Sequence, residues 1–142
     1  MPSVPLVKFN SFVERLGLAD HNFATDTIKV ALTNTAPPAT ANVLADIVEI
    51  AAAGGYVAGG YTLTGVAWSQ AAGTAKLVAD DLNISAVGAD IGPFRWLVVY
   101  NATAAGGRLI GSYDNGAAVT LTAGSAAFPL DLPQPSGIFT VT

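Results

Sequence analysis

His21 is the only histidine of this 142-residue sequence, and its side chain is the one best suited to acid–base or metal chemistry near neutral pH. A usual transition-metal site needs further His or Cys ligands, and the sequence contains no cysteine and no second histidine. Nucleophilic catalysis of the Ser-His-Asp type would need the same histidine, and no Gly-x-Ser-x-Gly elbow is present. We therefore interpret His21, between Asp20 and Asn22, as a polar turn residue.

Carboxylates are the next candidates, because paired acids can transfer protons or bind calcium. Asp80 and Asp81 are adjacent in the sequence, and Asp90 follows nearby. Neighbouring residues on a strand point to opposite faces, so Asp80 and Asp81 are not expected to converge on one substrate. We interpret them as turn residues at a strand end. The sequence therefore predicts no catalytic residue, no metal site and no cofactor.

Two Gly-Gly pairs, Gly54-Gly55 and Gly59-Gly60, stand on either side of Tyr56. They lack the Lys-Ser/Thr partner of a phosphate-binding loop and do not match the dinucleotide-binding pattern. We predict that residues 51–60 form a flexible, exposed loop.

The composition indicates a protein that works in an assembly. Only 11% of the residues are charged, against about 25% in a typical soluble domain, and 51% are hydrophobic. A monomer with so few charges would expose apolar patches, which usually mark an interface. The net charge of −4 and the scattered basic residues argue against nucleic-acid binding. Those basic residues are Lys8, Arg15, Lys29, Lys76, Arg95 and Arg108.

The longest apolar run, residues 91–100, includes Arg95 and is too short to cross a membrane. A spanning helix needs about 20 apolar residues. We therefore expect no association with a membrane.

One short N-terminal helix is predicted, because four apolar residues follow the spacing of a single helical stripe: Phe9, Phe12, Val13 and Leu16. Asn10 or Ser11 is expected to cap its start, with Glu14 completing a capping box. Gly17 is expected to end it. A helix this short is marginal alone, so its stripe must lie against a sheet or a neighbouring subunit.

From residue 27 onward the sequence alternates between strand-like runs and turn residues. The apolar run 94–100 predicts a central strand covered on both faces, with Trp96 in the core, and Asn115-Gly116 predicts a hairpin turn. We expect an all-β fold, a β-sandwich or jelly roll of about eight short strands with one short N-terminal helix. It forms a single domain, 1–142, with an extended N-terminal arm at residues 1–8. The predicted strands are 27–33, 61–68, 75–79, 82–86, 94–101, 108–113, 118–122 and 138–142.

Four aromatic residues are the candidate contacts with a partner. Phe9 and Phe12 belong to the helical stripe, Tyr56 lies in the glycine-rich loop, and Trp68 is the last residue of the strand-like run 61–68. Aromatic residues are enriched at protein interfaces, and they also form platforms that bind carbohydrates.

Six short segments carry a resemblance to a known family. They are KFNSFVE at 8–14, KVALTNTAP at 29–37, VLADI at 43–47, GPFRW at 92–96, VYN at 99–101 and LIGSYD at 109–114. These segments resemble those of a family of small virion structural proteins that tailed bacteriophages and prophages encode. The match runs from about Lys8 to the end of the chain.

The resemblance implies a non-enzymatic protein of the virion, located on the capsid surface. The most specific expectation is a capsid decoration (cement) protein that forms a homotrimer, binds the major capsid protein and stabilises the shell. A tail or head–tail connector subunit, which would form rings, is one alternative. A carbohydrate-binding module on the virion surface is another. A hydrolase is the weakest, because the sequence offers no nucleophile–base pair.

Overall fold

The structure is a computed structural model that describes residues 6–132 and 137–142. Within these residues the chain forms one α-helix, α1 (Asn10–Gly17), one 3₁₀ turn (Leu44–Asp46) and ten β-strands. The strands are β1 (Val7–Lys8), β2 (Ile28–Thr33), β3 (Tyr61–Thr62), β4 (Ala67–Ala71), β5 (Thr74–Val78), β6 (Leu82–Ile84), β7 (Ile91–Asn101), β8 (Arg108–Leu121), β9 (Phe128–Leu130) and β10 (Phe139–Val141).

The strands pair into three antiparallel sheets. The main sheet has the order β1-β8-β7-β2-β3, the second sheet has the order β10-β5-β4, and β6 pairs with β9. The predicted all-β fold with one short helix is confirmed, while the jelly-roll wiring stays a prediction.

Strand β7 is covered on both faces, as its apolar run predicted. Leu97 and Val99 lie in the larger core cluster, and Val98 and Tyr100 lie in a second cluster on the opposite face. This division follows the alternation of side chains along a strand.

The predicted hairpin at Asn115-Gly116 is wrong, because β8 continues through both residues. Asp114 pairs with Trp96, and the next pair along β8 is Val119 with Phe94. Residues 115–118 of β8 therefore lie opposite the single residue Arg95. The extra residues of β8 therefore form a bulge. Gly116 has a φ of +86°, and its N–H donates to Asp114 Oδ1 at 2.8 Å, so a turn forms locally without reversing the strand.

Trp96 is half-buried, and its predicted place in the core is wrong. The guanidinium of Arg95 lies 4.7 Å from the centre of the Trp96 ring. Arg95 also donates two hydrogen bonds to the Asp114 carboxylate, from Nε at 2.8 Å and from Nη2 at 3.0 Å. A charged side chain thus covers the indole beside the bulge of β8.

Helix α1 starts without the predicted side-chain cap. Its N-cap is Phe9, and no side-chain hydrogen bond caps the helix there. Asn10 and Ser11 already lie in the first turn, and Ser11 Oγ donates instead to the carbonyl of Ala41 at 3.4 Å. The start is held by the Phe9 N–H, which donates to the carbonyl of Ile110 on β8 at 3.1 Å.

The helix ends at Gly17, but the residue that turns the chain is Ala19. Asp20 N donates to the carbonyl of Arg15 at 3.2 Å, and Ala19 N donates to the carbonyl of Leu16 at 3.4 Å. This pair of bonds defines a Schellman motif. Ala19 has a φ of +61°, a left-handed conformation that favours glycine.

One predicted strand is divided. The run 61–68 is split between β3 and β4, and β4 turns into β5 through Ala72-Gly73, whose φ angles of +51° and +85° are typical of a two-residue hairpin loop. Pro129 lies within β9, which pairs only with β6. Proline is tolerated there because an edge strand leaves one side unpaired.

The predicted N-terminal arm is described only in part. Residues 1–5 lie outside the described residues, whereas Val7 and Lys8 pair with Ser112 and Gly111 of β8.

We expect Ala19→Gly to stabilise the protein by about 0.5–1 kcal/mol, because relief of the left-handed strain exceeds the added entropy of the unfolded chain. Urea denaturation would measure the free energy of unfolding. Ala58→Gly is the matched control, because Ala58 is exposed and is not among the residues with a positive φ. The control should lose stability, and an equal loss in Ala19→Gly would contradict the assigned strain.

Candidate functional site

Three of the four predicted contact residues lie inside the protein's own core. Phe9, Phe12 and Tyr56 are 3%, 1% and 1% exposed, so their rings offer no surface to a partner in this conformation. The apolar stripe of α1 packs mainly against the chain itself. Trp68 is half-buried and is the one of the four that reaches the surface.

The glycine-rich segment 51–60 is anchored at Tyr56, Gly59 and Gly60, while residues 51–53, 55, 57 and 58 are exposed, as predicted for a surface loop. The Tyr56 hydroxyl donates to Glu49 Oε2 at 2.7 Å and accepts from the Leu32 N–H at 3.0 Å. Gly59 N donates to the same carboxylate at 2.9 Å. A Cβ on Gly60 would overlap the carbonyl of Val30, so only glycine fits this close approach to β2. Burial raises the pKa of Tyr56, so its hydroxyl keeps the proton that it donates.

His21 forms a polar cluster with the end of β7. Asn101 Oδ1 accepts from the N–H groups of Thr103 and Ala104 at 3.0 and 3.2 Å, so Asn101 Nδ2 is the donor to His21 Nδ1 at 3.1 Å. The neutral ring therefore carries its proton on Nε2. That nitrogen is buried, and it has no hydrogen-bond partner among the described residues.

Asp20, Asp26 and Arg108 lie near this histidine, and Arg15 contacts Asp20. Asp26 Oδ2 accepts from Asn101 Nδ2 at 2.6 Å. Asp20 Oδ2 lies 3.4 Å from Arg15 Nη1 and 3.6 Å from Arg108 Nε. Burial lowers the pKa of His21, the carboxylates of Asp20 and Asp26 oppose this, and Arg108 adds to the lowering. The cluster ties the segment after α1 to the ends of β7 and β8.

A pocket of about 360 Å³, which we call the Trp68 pocket, opens between the segment after α1 and β4. The Trp68 ring packs on Phe23 with 5.2 Å between ring centroids, and on Phe139 with 5.7 Å. An aromatic wall beside polar groups is typical of sites for small ligands with an apolar face. The lining residues are Leu16, Ala19, His21, Asn22, Phe23, Ala24 and Trp68.

A second recess, of about 370 Å³, lies between α1 and β10. We call it the α1 groove, and it is lined by Lys8, Phe12, Val13, Leu16, Thr140, Val141 and Thr142. Lys8 Nζ donates to the carbonyl of Thr140 at 3.2 Å across it. Val13 is 65% exposed; Val7 and Leu18, which do not line the groove, are 67% and 57% exposed. One residue of the predicted stripe, Val13, therefore faces away from the core.

The acidic residues have structural roles. Asp80 accepts from the Thr64 hydroxyl at 3.1 Å, and Asp90 Oδ1 accepts from the Ala123 N–H at 2.9 Å. Across residues 6–132 and 137–142, no three His, Cys, Asp or Glu side chains are grouped so as to hold a metal ion. In the same residues, no helix has the length and apolar character that a membrane crossing requires.

Sequence reasoning missed the cluster around His21 and Asn101 because its members lie far apart in the sequence. His21 accepts a hydrogen bond from a residue 80 positions away. Sequence reasoning identified only one residue of each pocket, Val13 in the helical stripe and Trp68 among the candidate contacts.

No family model, no curated protein and no solved structure matches this chain. The resemblance to phage virion proteins is therefore a hypothesis that rests on the six sequence segments alone.

We expect the stability of the protein to fall as the pH drops below about 6.5, because the unfolded chain binds a proton on His21 more tightly than the folded chain does. The free energy of unfolding of the wild type and of His21→Gln would be measured by urea denaturation near neutral pH and about two units lower. The advantage of the wild type should shrink on acidification. An unchanged difference would contradict the assignment of a buried neutral ring.

Proposed function

We propose that this protein is a non-enzymatic structural subunit of a tailed-bacteriophage virion. In its most specific form, the proposal is a capsid decoration protein on the capsid surface. It forms a homotrimer, binds the shell of the major capsid protein and stabilises that shell by burying surface.

The observation that carries this proposal is a set of exposed apolar side chains on α1 and on the residues just before and after it, of which Val13 lines the α1 groove. Val7, Val13 and Leu18 are three of the six large hydrophobic side chains that are most exposed in the described chain. All three lie on β1, on α1 or directly after the helix. Fully burying one such side chain contributes about 1.5–3 kcal/mol. A few of them are therefore enough to hold each copy of the protein on a shell, and several copies in one oligomer bind more tightly together.

The composition supports the same proposal. A charged fraction of 11% leaves few groups to keep separate copies apart in solution. The resemblance of residues 8–14, 29–37 and 92–96 to virion structural proteins supplies the biological setting.

We expect Val13→Lys to weaken binding to the shell at least about tenfold, because it removes an apolar contact and buries a charge. The measurement is occupancy on shells assembled from the major capsid protein of the same genome. Val87→Lys is the matched control, because Val87 is 75% exposed and lies outside the α1 groove.

Equal loss in both variants would indicate a general effect of charge and would remove the α1 groove from the interface. The native mass of the wild type separates the proposals further. Three copies of the 14.3 kDa chain support a decoration trimer, whereas a ring of six or more favours a tail or connector subunit.

A carbohydrate-binding module is a second candidate, and the Trp68 pocket favours it. Aromatic rings bind the apolar face of a sugar, while neighbouring polar groups such as the Asn22 amide bind its hydroxyls. We expect Trp68→Ala to abolish any signal on a glycan array and Trp96→Ala to leave it unchanged, because Trp96 is also half-buried but lies under Arg95. A wild type that binds no glycan would exclude this function.

A further inference from the structure

The open edge of β4 is the feature from which a further inference follows. The structure describes six strands at the edges of its sheets, and five of them have only two or three residues: β1, β3, β6, β9 and β10. Strand β4 has five residues, Ala67–Ala71, and pairs only with β5. Four of its five residues are exposed, and Trp68 is half-buried.

Natural proteins protect such edges with charged residues, proline, bulges or very short strands. Lys8 lies on β1 and Pro129 lies on β9. Strand β4 reads AWSQA and contains no charge and no proline, and its pairing with β5 runs without a register shift. It is the least protected edge of the described chain.

The hairpin fixes which backbone groups of β4 point outward. Ala71 and Thr74 flank the two-residue loop, so they exchange hydrogen bonds with each other, and the hydrogen-bonded pairs then alternate along the strand. Trp68 lies opposite Leu77, whose carbonyl accepts from Ile138 N on the far side of β5, at 2.7 Å. The N–H and C=O groups of Trp68 and Gln70 therefore face the open edge. Among residues 6–132 and 137–142, no backbone bond joins them to another strand.

These outward groups are complementary to a second copy of themselves. Two β4 strands placed antiparallel about a two-fold axis at Ser69 set Trp68 of one copy opposite Gln70 of the other. Both residues present outward N–H and C=O groups, so each such pair exchanges two hydrogen bonds. Four bonds form in all.

Electrostatic repulsion does not oppose this arrangement. The nearest charged side chain in the sheet is Lys76, which pairs with Ser69. In the paired arrangement the two Lys76 strands are three strand spacings apart, about 14 Å, which exceeds the Debye length of about 8–10 Å in physiological salt.

We propose that two copies of this protein pair through their β4 edges, which joins two three-stranded sheets into one six-stranded sheet. The partner's Gln70 then lies beside Trp68 and covers the part of the indole that is exposed in the single chain. This pairing does not use the α1 groove. It would join two homotrimers into six copies, so the native mass that separates a trimer from a ring is measured on Gln70→Pro as well as on the wild type, because in this variant the β4 edge has lost an outward N–H.

The chain has no cysteine, so a single introduced thiol reports on the pairing cleanly. Ser69 of the two copies would meet at the two-fold axis with Cβ atoms about 4.5–5.5 Å apart, which is close to disulfide geometry. We expect Ser69→Cys to form a covalent dimer under mild oxidation at least about tenfold faster than Ser125→Cys, because pairing raises the local thiol concentration. Ser125 is exposed on the turn before β9 and serves as the matched control.

A second variant tests the backbone pairing itself. Gln70→Pro removes an outward N–H that makes no bond within the chain, and also the exposed bond that Gln70 Oε1 accepts from Gly73 N at 3.2 Å. Ser69→Cys combined with Gln70→Pro should therefore keep a cooperative thermal unfolding transition, at a slightly lower temperature, and lose the rapid cross-link. Cross-linking of Ser69→Cys no faster than that of Ser125→Cys would overturn the proposal. Rapid cross-linking that survives Gln70→Pro would also overturn it. Adding Val13→Lys should leave the cross-link unchanged, which separates this pairing from the α1 groove.

Discussion

The coverage of β7 on both faces is the constraint on which the rest of the fold depends. A strand whose residues 97–101 are all buried needs apolar cover on each side, and the second and third sheets supply only one side. The other side is covered by single residues from distant segments, among them Phe9, Ala41 and Ile47. These residues draw the start of α1 and the segment before residue 51 onto the outer face of the main sheet. The position of α1, and with it the α1 groove, follows from this requirement.

The same constraint explains why polar groups collect at the end of β7. Asn101 is fully buried, and a buried amide needs partners for both its oxygen and its nitrogen. Its oxygen holds the turn at Thr103 and Ala104, and its nitrogen holds His21 and Asp26. The segment after α1 is therefore held to the main sheet by Asn101, together with Arg108 of β8, which lies beside Asp20. The Trp68 pocket lies against this fixed segment, so its shape depends on the same hydrogen bonds.

Sequence reasoning predicted those elements whose signal is local. Apolar and polar residues alternate over 27–33, and 94–100 form an apolar run. Both patterns predicted strands, because the periodicity of side chains reflects which faces of a strand are buried. It failed where a distant partner decides the outcome. Asn115-Gly116 forms a bulge because Asp114 is held by Arg95 on the neighbouring strand, and 51–60 is anchored because Glu49 holds Tyr56. The stripe of α1 was recognised, but its spacing does not say whether the chain itself or a partner covers it.

The low charge of the sequence has a more specific explanation in the structure than a general tendency to assemble. Much of the apolar content is used within the chain, since Phe9, Phe12 and Tyr56 fill its two core clusters. Part of what remains lies at two places, the α1 groove with Val13 and the β4 edge with Trp68. Leu16 lines both the α1 groove and the Trp68 pocket, so one side of each rests on the same short helix. An eight-residue helix is stable only through packing, and its left-handed Ala19 adds strain at its end. A contact at the α1 groove would therefore add stability to this short helix.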